Sequence, residues 1–142
     1  MLLGGTMGFN LDMNQLIEYG RKLTKSSGEF EVFLKDFLIE MANRILARVK
    51  RKDRTPVDTG ALRNSWSISD VNSDGKNIFI EIKNPMEYAS YVEYGHRIVR
   101  NGSEVGWYEG KFMLKISIDE IRKQMPHRFL RQFNAWCNER EL

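Results

Sequence analysis

The chain has 142 residues, 42% of them hydrophobic, a formal net charge of +3 and a single cysteine, Cys137. That length fits one domain able to bury a core unaided; the composition excludes wholesale disorder, and one cysteine excludes an internal disulfide framework. The mildly basic charge allows contact with nucleic acid or an acidic partner without demanding either.

The apolar start, Met1-Leu2-Leu3-Gly4-Gly5, is too short for a signal peptide and has no basic residue before it. No segment approaches the roughly 20 apolar residues that span a bilayer. The chain is therefore expected to be soluble, made in the cytoplasm, and without a membrane partner. Residues 1–10 are glycine-rich and read as a flexible N-terminal arm, with residues 11–142 forming a single α+β domain. Asp12 can cap a short, weak helix carrying Leu16 and Ile17 that ends near Gly20.

The strongest helical signal begins near Glu29, which has capping-box spacing from Ser26. Phe30, Phe33, Leu34, Phe37, Leu38, Met41, Ile45 and Val49 then recur at threes and fours as one apolar stripe. Pro56 closes this helix or follows just after it. The period next changes to two. Trp66 and Ile68 share one strand face, and Ile78, Ile80 and Ile82 alternate on a second strand. The polar run Asn72-Ser73-Asp74-Gly75-Lys76 between them predicts a β-hairpin, which must pack its apolar face on the long helix.

Asn84-Pro85 stops the second strand. Residues 88–94 fit either a short helix or an extended piece. Residues 96–110 read as a long, glycine-containing surface loop. From residue 108 the pattern suits a strand or extended segment, then a helix from about Ser117, with Pro126 opening a separate last helix bearing Phe129, Leu130, Phe133 and Trp136. The expected fold is thus a small antiparallel sheet with a β-hairpin, packed against a long N-terminal helix and C-terminal helices. Cys137 falls in the apolar pattern with Phe133 and Trp136 and reads as a buried thiol.

Nothing in the chain spells an active site. His96 and His127 are the only histidines, and no His-Glu-x-x-His, Cys-x-x-Cys or phosphate-binding glycine loop occurs. No catalytic residue, metal or cofactor is expected. The informative segments are two others. Thr55-Pro56-Val57-Asp58-Thr59-Gly60-Ala61-Leu62-Arg63-Asn64-Ser65-Trp66 suits a tight helix-to-strand joint, in which Pro56 fixes φ, Asp58 and Thr59 bond nearby amides and Gly60 allows a positive φ. Tyr88-Ala89-Ser90-Tyr91-Val92-Glu93-Tyr94-Gly95 is rich in tyrosine.

Together these two strings resemble the HK97 gene-10-like family of phage tail components. The resemblance covers roughly residues 30–96, and the segment beyond departs from it. It implies an antiparallel sheet packed by helices, and no catalysis. It also implies a ring, commonly hexameric, at the virion neck, made in the bacterial host. There the ring would complete or terminate the tail tube and join it to the head connector or stopper, with DNA passing through as cargo. A minor capsid or head-completion role is the alternative within the same class.

Under this resemblance Pro56, Asp58, Thr59, Gly60, Leu62, Arg63 and Trp66 form the structural motif. Tyr88, Tyr91, Tyr94, Trp107 and Tyr108 are candidates for contact between subunits, since aromatics are enriched at interface cores. Arg63, Glu93, His96 and Arg97 join them, Arg63 and Glu93 as a possible ion pair. A different class of function is sequence-independent DNA binding, through phosphate contacts from Arg44, Arg48, Arg51, Lys52 and Arg54. Positive charge at a helix C-terminus explains the same cluster without DNA.

Overall fold

The structure, a computed structural model, describes residues 6–10, 27–51, 53–56, 60–73 and 77–140. In chain order the elements are β1 (Thr6–Asn10), α1 (Ser27–Val49), α2 (Ala61–Asn64), β2 (Ser67–Ile68), β3 (Asn72–Ser73), β4 (Ile78–Lys83), α3 (Ala89–Tyr94), β5 (Gly95–Arg100), β6 (Ser103–Glu109) and α4 (Met113–Glu139). The fold is α+β.

The apolar stripe of α1 is its buried face. Phe30, Leu34, Phe37, Leu38, Met41, Ile45 and Val49 are each at most 4% exposed. One part of this face packs on α4, which runs antiparallel to it: Phe30 meets Phe133 and Trp136, Phe37 meets Phe129, and Arg48 reaches Glu120. The ring centroids of Phe37 and Phe129 lie 5.3 Å apart, edge to face at 82°. Such pairs add about 0.5–1.5 kcal/mol each beyond the area they bury. Another part packs on β4 and β2, where Ile80, Ile82 and Trp66 are buried.

β4 is the central strand, with β1 on one edge and β2 and β3 on the other, all antiparallel. β2 and β3 act as one interrupted strand. Ser67 faces Lys83 and Ile68 faces Ile82, but Asn72 faces Phe79, so one extra residue lies between the two pieces. Ser69 sits at this bulge. Its N–H donates to the Glu81 carbonyl at 2.8 Å and its hydroxyl accepts the Glu81 N–H at 2.9 Å, keeping the ladder satisfied. This is the expected hairpin; its turn at residues 74–76 lies outside the described residues, as does the short helix expected after Asp12.

Four expectations are corrected. Residues 6–10, read as part of a flexible arm, form β1 and complete the second edge of β4. Residues 96–110, read as a loop, form the β5–β6 hairpin. Its turn residues Asn101 and Gly102 have φ of 50° and 77°, the paired positive values of a two-residue hairpin turn. The helix expected from about Ser117 starts at Met113. Finally, Pro126 does not open a separate helix: α4 is one helix of 27 residues with Pro126 inside it. The buried line Ile121, Met125, Phe129 and Phe133 continues across Pro126, which is itself exposed. Packing on α1 therefore holds the helix together across a residue that removes one backbone bond.

If α4 is continuous, Pro126→Ala should restore an N–H donor to the Arg122 carbonyl and raise stability by about 1–3 kcal/mol in urea denaturation. A neutral or destabilising result would instead fit a helix that begins at this proline.

Candidate functional site

The first motif is a joint tied by a buried polar relay. Thr55 is fully buried; its hydroxyl donates to the Val49 carbonyl at the end of α1 and accepts from the Trp66 indole N–H at 3.0 Å. One of the carbonyls that a helix C-terminus leaves unpaired is thereby satisfied, and Trp66 is fixed against the end of α1. Gly60 takes φ of 79° just before α2, and Leu62 is buried there. Asn84, also fully buried, donates from Nδ2 to the Leu62 carbonyl at 2.7 Å and accepts the Met86 N–H at 3.1 Å through Oδ1. It joins the first motif to the approach to the second. Arg63 is half-buried in α2, and Asp58 and Thr59 lie outside the described residues.

The second motif forms α3 and a crossing of two chain segments. Glu93 is 1% exposed, and its carboxylate does not pair with Arg63. The N–H groups of Leu114 and Lys115 donate to its two oxygens at 2.9 and 3.0 Å. These are first-turn amides of α4, which has no cap from its own side chains because Phe112 sits before it at φ 49°. Glu93 is thus the N-terminal cap of α4, supplied from a different helix. The backbone adds two further bonds at this point, from Lys111 N–H to the Val92 carbonyl and from Phe112 N–H to the Glu93 carbonyl, at 2.8 and 3.0 Å. The crossing is tight enough to require glycine. A Cβ on Gly95, at φ 83°, would lie 2.3 Å from the Tyr108 carbonyl oxygen, and one on Gly110 would lie 2.4 Å from that of Glu93.

Above this crossing the β5–β6 hairpin and the two motifs enclose an apolar cleft of about 290 Å³. Pro56, Leu62, Tyr88, Tyr91, His96 and Tyr108 line it, with Glu109 and Lys111 among its remaining walls. The His96 ring sits between Tyr91 and Tyr108, at centroid distances of 5.6 and 5.1 Å. His96 and Tyr108 are paired across the hairpin and share one of its faces. Arg97 pairs with Trp107 on the other face, where Val99 also points. Trp107, Tyr108, Val99, Val105 and Tyr94 are each more than half exposed, and Tyr88 and Tyr91 are 40% exposed. Of the residues proposed for contact, only Glu93 is turned inward.

The basic cluster is largely spoken for. Arg44 pairs with Glu40 at 3.2 Å, Arg51 with Asp53 at 2.9 Å, and Arg48 and Arg54 both grip Glu120 of α4. The hydrogen bond from Arg54, then that from Arg48, holds the Glu120 carboxyl below the usual carboxylate range. Lys52 lies outside the described residues. Among the described residues, no group of three or more His, Cys, Asp or Glu side chains could hold a metal ion, and no helix is long and apolar enough to cross a membrane.

Glu93, expected at an interface, is instead an internal cap, and Thr55 and Asn84 are buried polar residues that no motif in the sequence marks as functional. Glu93 and Asn84 reach partners 21 and 22 residues away, and Thr55 links Val49 to Trp66 across the end of a helix, so only a buried polar residue type beside an apolar run hinted at these roles. Two outcomes follow. Thr55→Val keeps the shape but strands the Trp66 N–H and the Val49 carbonyl, and should cost about 2–4 kcal/mol in urea denaturation, against well under half that for Thr55→Ser. A loss below about 0.5 kcal/mol would rule out the relay.

Glu93→Gln should cost about 1–3 kcal/mol, because the amide replaces one of the two acceptor oxygens with an NH2 that faces a backbone N–H donor. Burial raises the Glu93 carboxyl above its ordinary value near 4.5, against the opposing effect of the backbone bonds. A raised acid favours folding most below that ordinary value and loses this contribution as pH climbs through the raised one. The stability advantage of wild type over Glu93→Gln should therefore shrink as pH rises from 4.5. An advantage that grows with pH would contradict the assignment.

No curated protein and no solved structure matches the chain. A family model does match, over residues 15–95, more than half of the sequence. The matched span holds α1, both motifs and β4, and it stops at Gly95, where the hairpin begins. With this match the chain belongs to the HK97 gp10-like family of bacteriophage tail components.

Proposed function

We propose that the protein is a non-catalytic neck component. It forms a ring, hexameric in the reading the family favours, that completes or terminates the tail tube and joins it to the head connector. Membership of a tail-component family makes it part of the virion and implies contact with other phage structural proteins.

The observation that carries the ring is the β5–β6 hairpin. It is two-stranded, projects beyond the core, and carries exposed apolar or aromatic side chains on both faces. A hairpin of this kind is marginal alone and gains most by packing on something else. One face contributes to the aromatic cleft, while the other presents Trp107 beside Arg97. Two different surfaces on one projecting element suit a head-to-tail contact, the type that closes into rings.

Six copies of 16.7 kDa give a ring of about 100 kDa. Mass photometry of the protein, free or released from tails, should find that species. Immunogold labelling should mark the head-proximal end of isolated tails. Label along the tube, or none on particles, would refute the proposal. Trp107→Glu should abolish the ring while shifting the melting temperature little, because Trp107 is 53% exposed and outside the core. An unchanged ring would exclude this face as the contact.

A further inference from the structure

Among the described residues, two other than glycine have a positive φ: Asn101 at 50° and Phe112 at 49°. Asn101 stands in the β5–β6 turn, and asparagine is tolerated in the left-handed region because its short polar side chain bonds locally. Phe112 has no such relief. There the Cβ of a bulky residue crowds the following carbonyl oxygen, a clash that glycine escapes. The surroundings hold this backbone in place. Phe112 N–H donates to the Glu93 carbonyl at 3.0 Å and Lys111 N–H to that of Val92 at 2.8 Å, while the Leu114 and Lys115 amides bond the Glu93 carboxylate. The conformation is over-determined, and the side chain carries the strain.

That side chain is also turned outward in part. Phe112 is 38% exposed, so the single chain recovers only a share of what burying a phenyl group returns. Ile116, one turn into α4, is exposed, and its N–H bonds the Phe112 carbonyl at 2.9 Å. Tyr94 is more than half exposed, and its carbonyl carbon lies 2.6 Å from where a Cβ on Gly110 would stand. The crossing thus gathers three exposed apolar or aromatic residues beside the cleft, whose walls include Val92 and Lys111.

We infer that Phe112 is an anchor for a second copy of this chain. It extends the receiving surface of the cleft, and the Trp107 face of the neighbouring hairpin closes over it. The inference rests on the head-to-tail contact proposed above and adds to it a residue outside both motifs and the hairpin. Two points name the occupant. The patch adjoins the cleft, so a neighbouring subunit seated in one also covers the other. The hairpin face bearing Trp107 cannot reach the cleft of its own chain, because His96 and Tyr108, which line that cleft, lie on the opposite face. Exposed in the single chain, that face is free to serve the next copy. Large aromatic groups are where binding energy concentrates at interfaces, and a strained residue at a contact is offset by what it binds.

The test compares the full wild-type chain with Phe112→Gly, Phe112→Asn and Phe112→Tyr. Melting is followed by circular dichroism at a concentration where sedimentation finds monomers, so that assembly does not itself raise the melting temperature. Phe112→Gly should melt above wild type or no more than about 5 °C below it, because relief of the strain offsets the lost contacts of the phenyl group. Assembly is read by analytical ultracentrifugation as the concentration at which half the chains are in rings. It should rise at least roughly tenfold for Phe112→Gly and for Phe112→Asn, which also tolerates this φ. Phe112→Tyr keeps both the aromatic group and the strain, and should assemble within about threefold of wild type. Rings formed as readily by Phe112→Gly as by wild type would overturn the inference, as would equal losses in the glycine and tyrosine variants. A melting temperature lowered by more than about 5 °C would also overturn it, by assigning the phenyl group to the core of its own chain. Wild type that forms no ring at any concentration would instead sink the head-to-tail contact itself, and this inference with it.

Discussion

The carboxylate of Glu93 determines where the last helix begins, and much of the molecule depends on that position. Phe112 leaves α4 without a local cap, so the Leu114 and Lys115 amides are completed by a side chain from α3. Once α4 starts there, its aromatic line of Phe129, Phe133 and Trp136 falls into register with Phe30, Phe33 and Phe37 of α1. The same crossing, which a side chain on Gly95 or Gly110 would block, sends the β5–β6 hairpin outward from a rigid base. A buried, hydrogen-bonded carboxylate is expensive to desolvate, but it is specific: few other side chains can accept from two adjacent backbone donors.

The first motif does a related job at the other end of α1. Thr55 passes a hydrogen bond from Trp66 to Val49, and Asn84 bridges Leu62 to Met86. Between them these residues connect α1, α2, the sheet and the approach to α3 through satisfied buried polar groups. Each family string thus contributes a buried polar residue that ties its own chain together. Thr55 of the first string and Glu93 of the second are spent inside it, while the tyrosines and the hairpin beyond the matched span are left to face outward.

What could be read from the sequence was whatever local periodicity encodes. The stripe of α1 and the alternation of Ile78, Ile80 and Ile82 needed no partner to be recognised. The β5–β6 hairpin was missed although Asn101-Gly102 is a strong turn signal. Both its faces are largely exposed, so Arg97, Val99 and Arg100 broke the apolar alternation that would have supported it. Pro126 misled because local preference was overruled by a buried line that continues past it. The cap from Glu93 and the capture of Arg48 and Arg54 by Glu120 span 21, 72 and 66 residues, distances over which no local pattern reports. The exposed aromatics were legible as residues, but their placement around one cleft was not.

The central claim is that the frame built on Glu93 exists to present the hairpin to a neighbouring copy. A photo-crosslinking amino acid at position 107, in otherwise intact virions, tests it most directly. Irradiation should yield covalent dimers of this chain, with the second copy joined near Tyr88, Tyr91 or Lys111, around the cleft. Crosslinks formed only within one chain, or only to other virion proteins, would contradict the account.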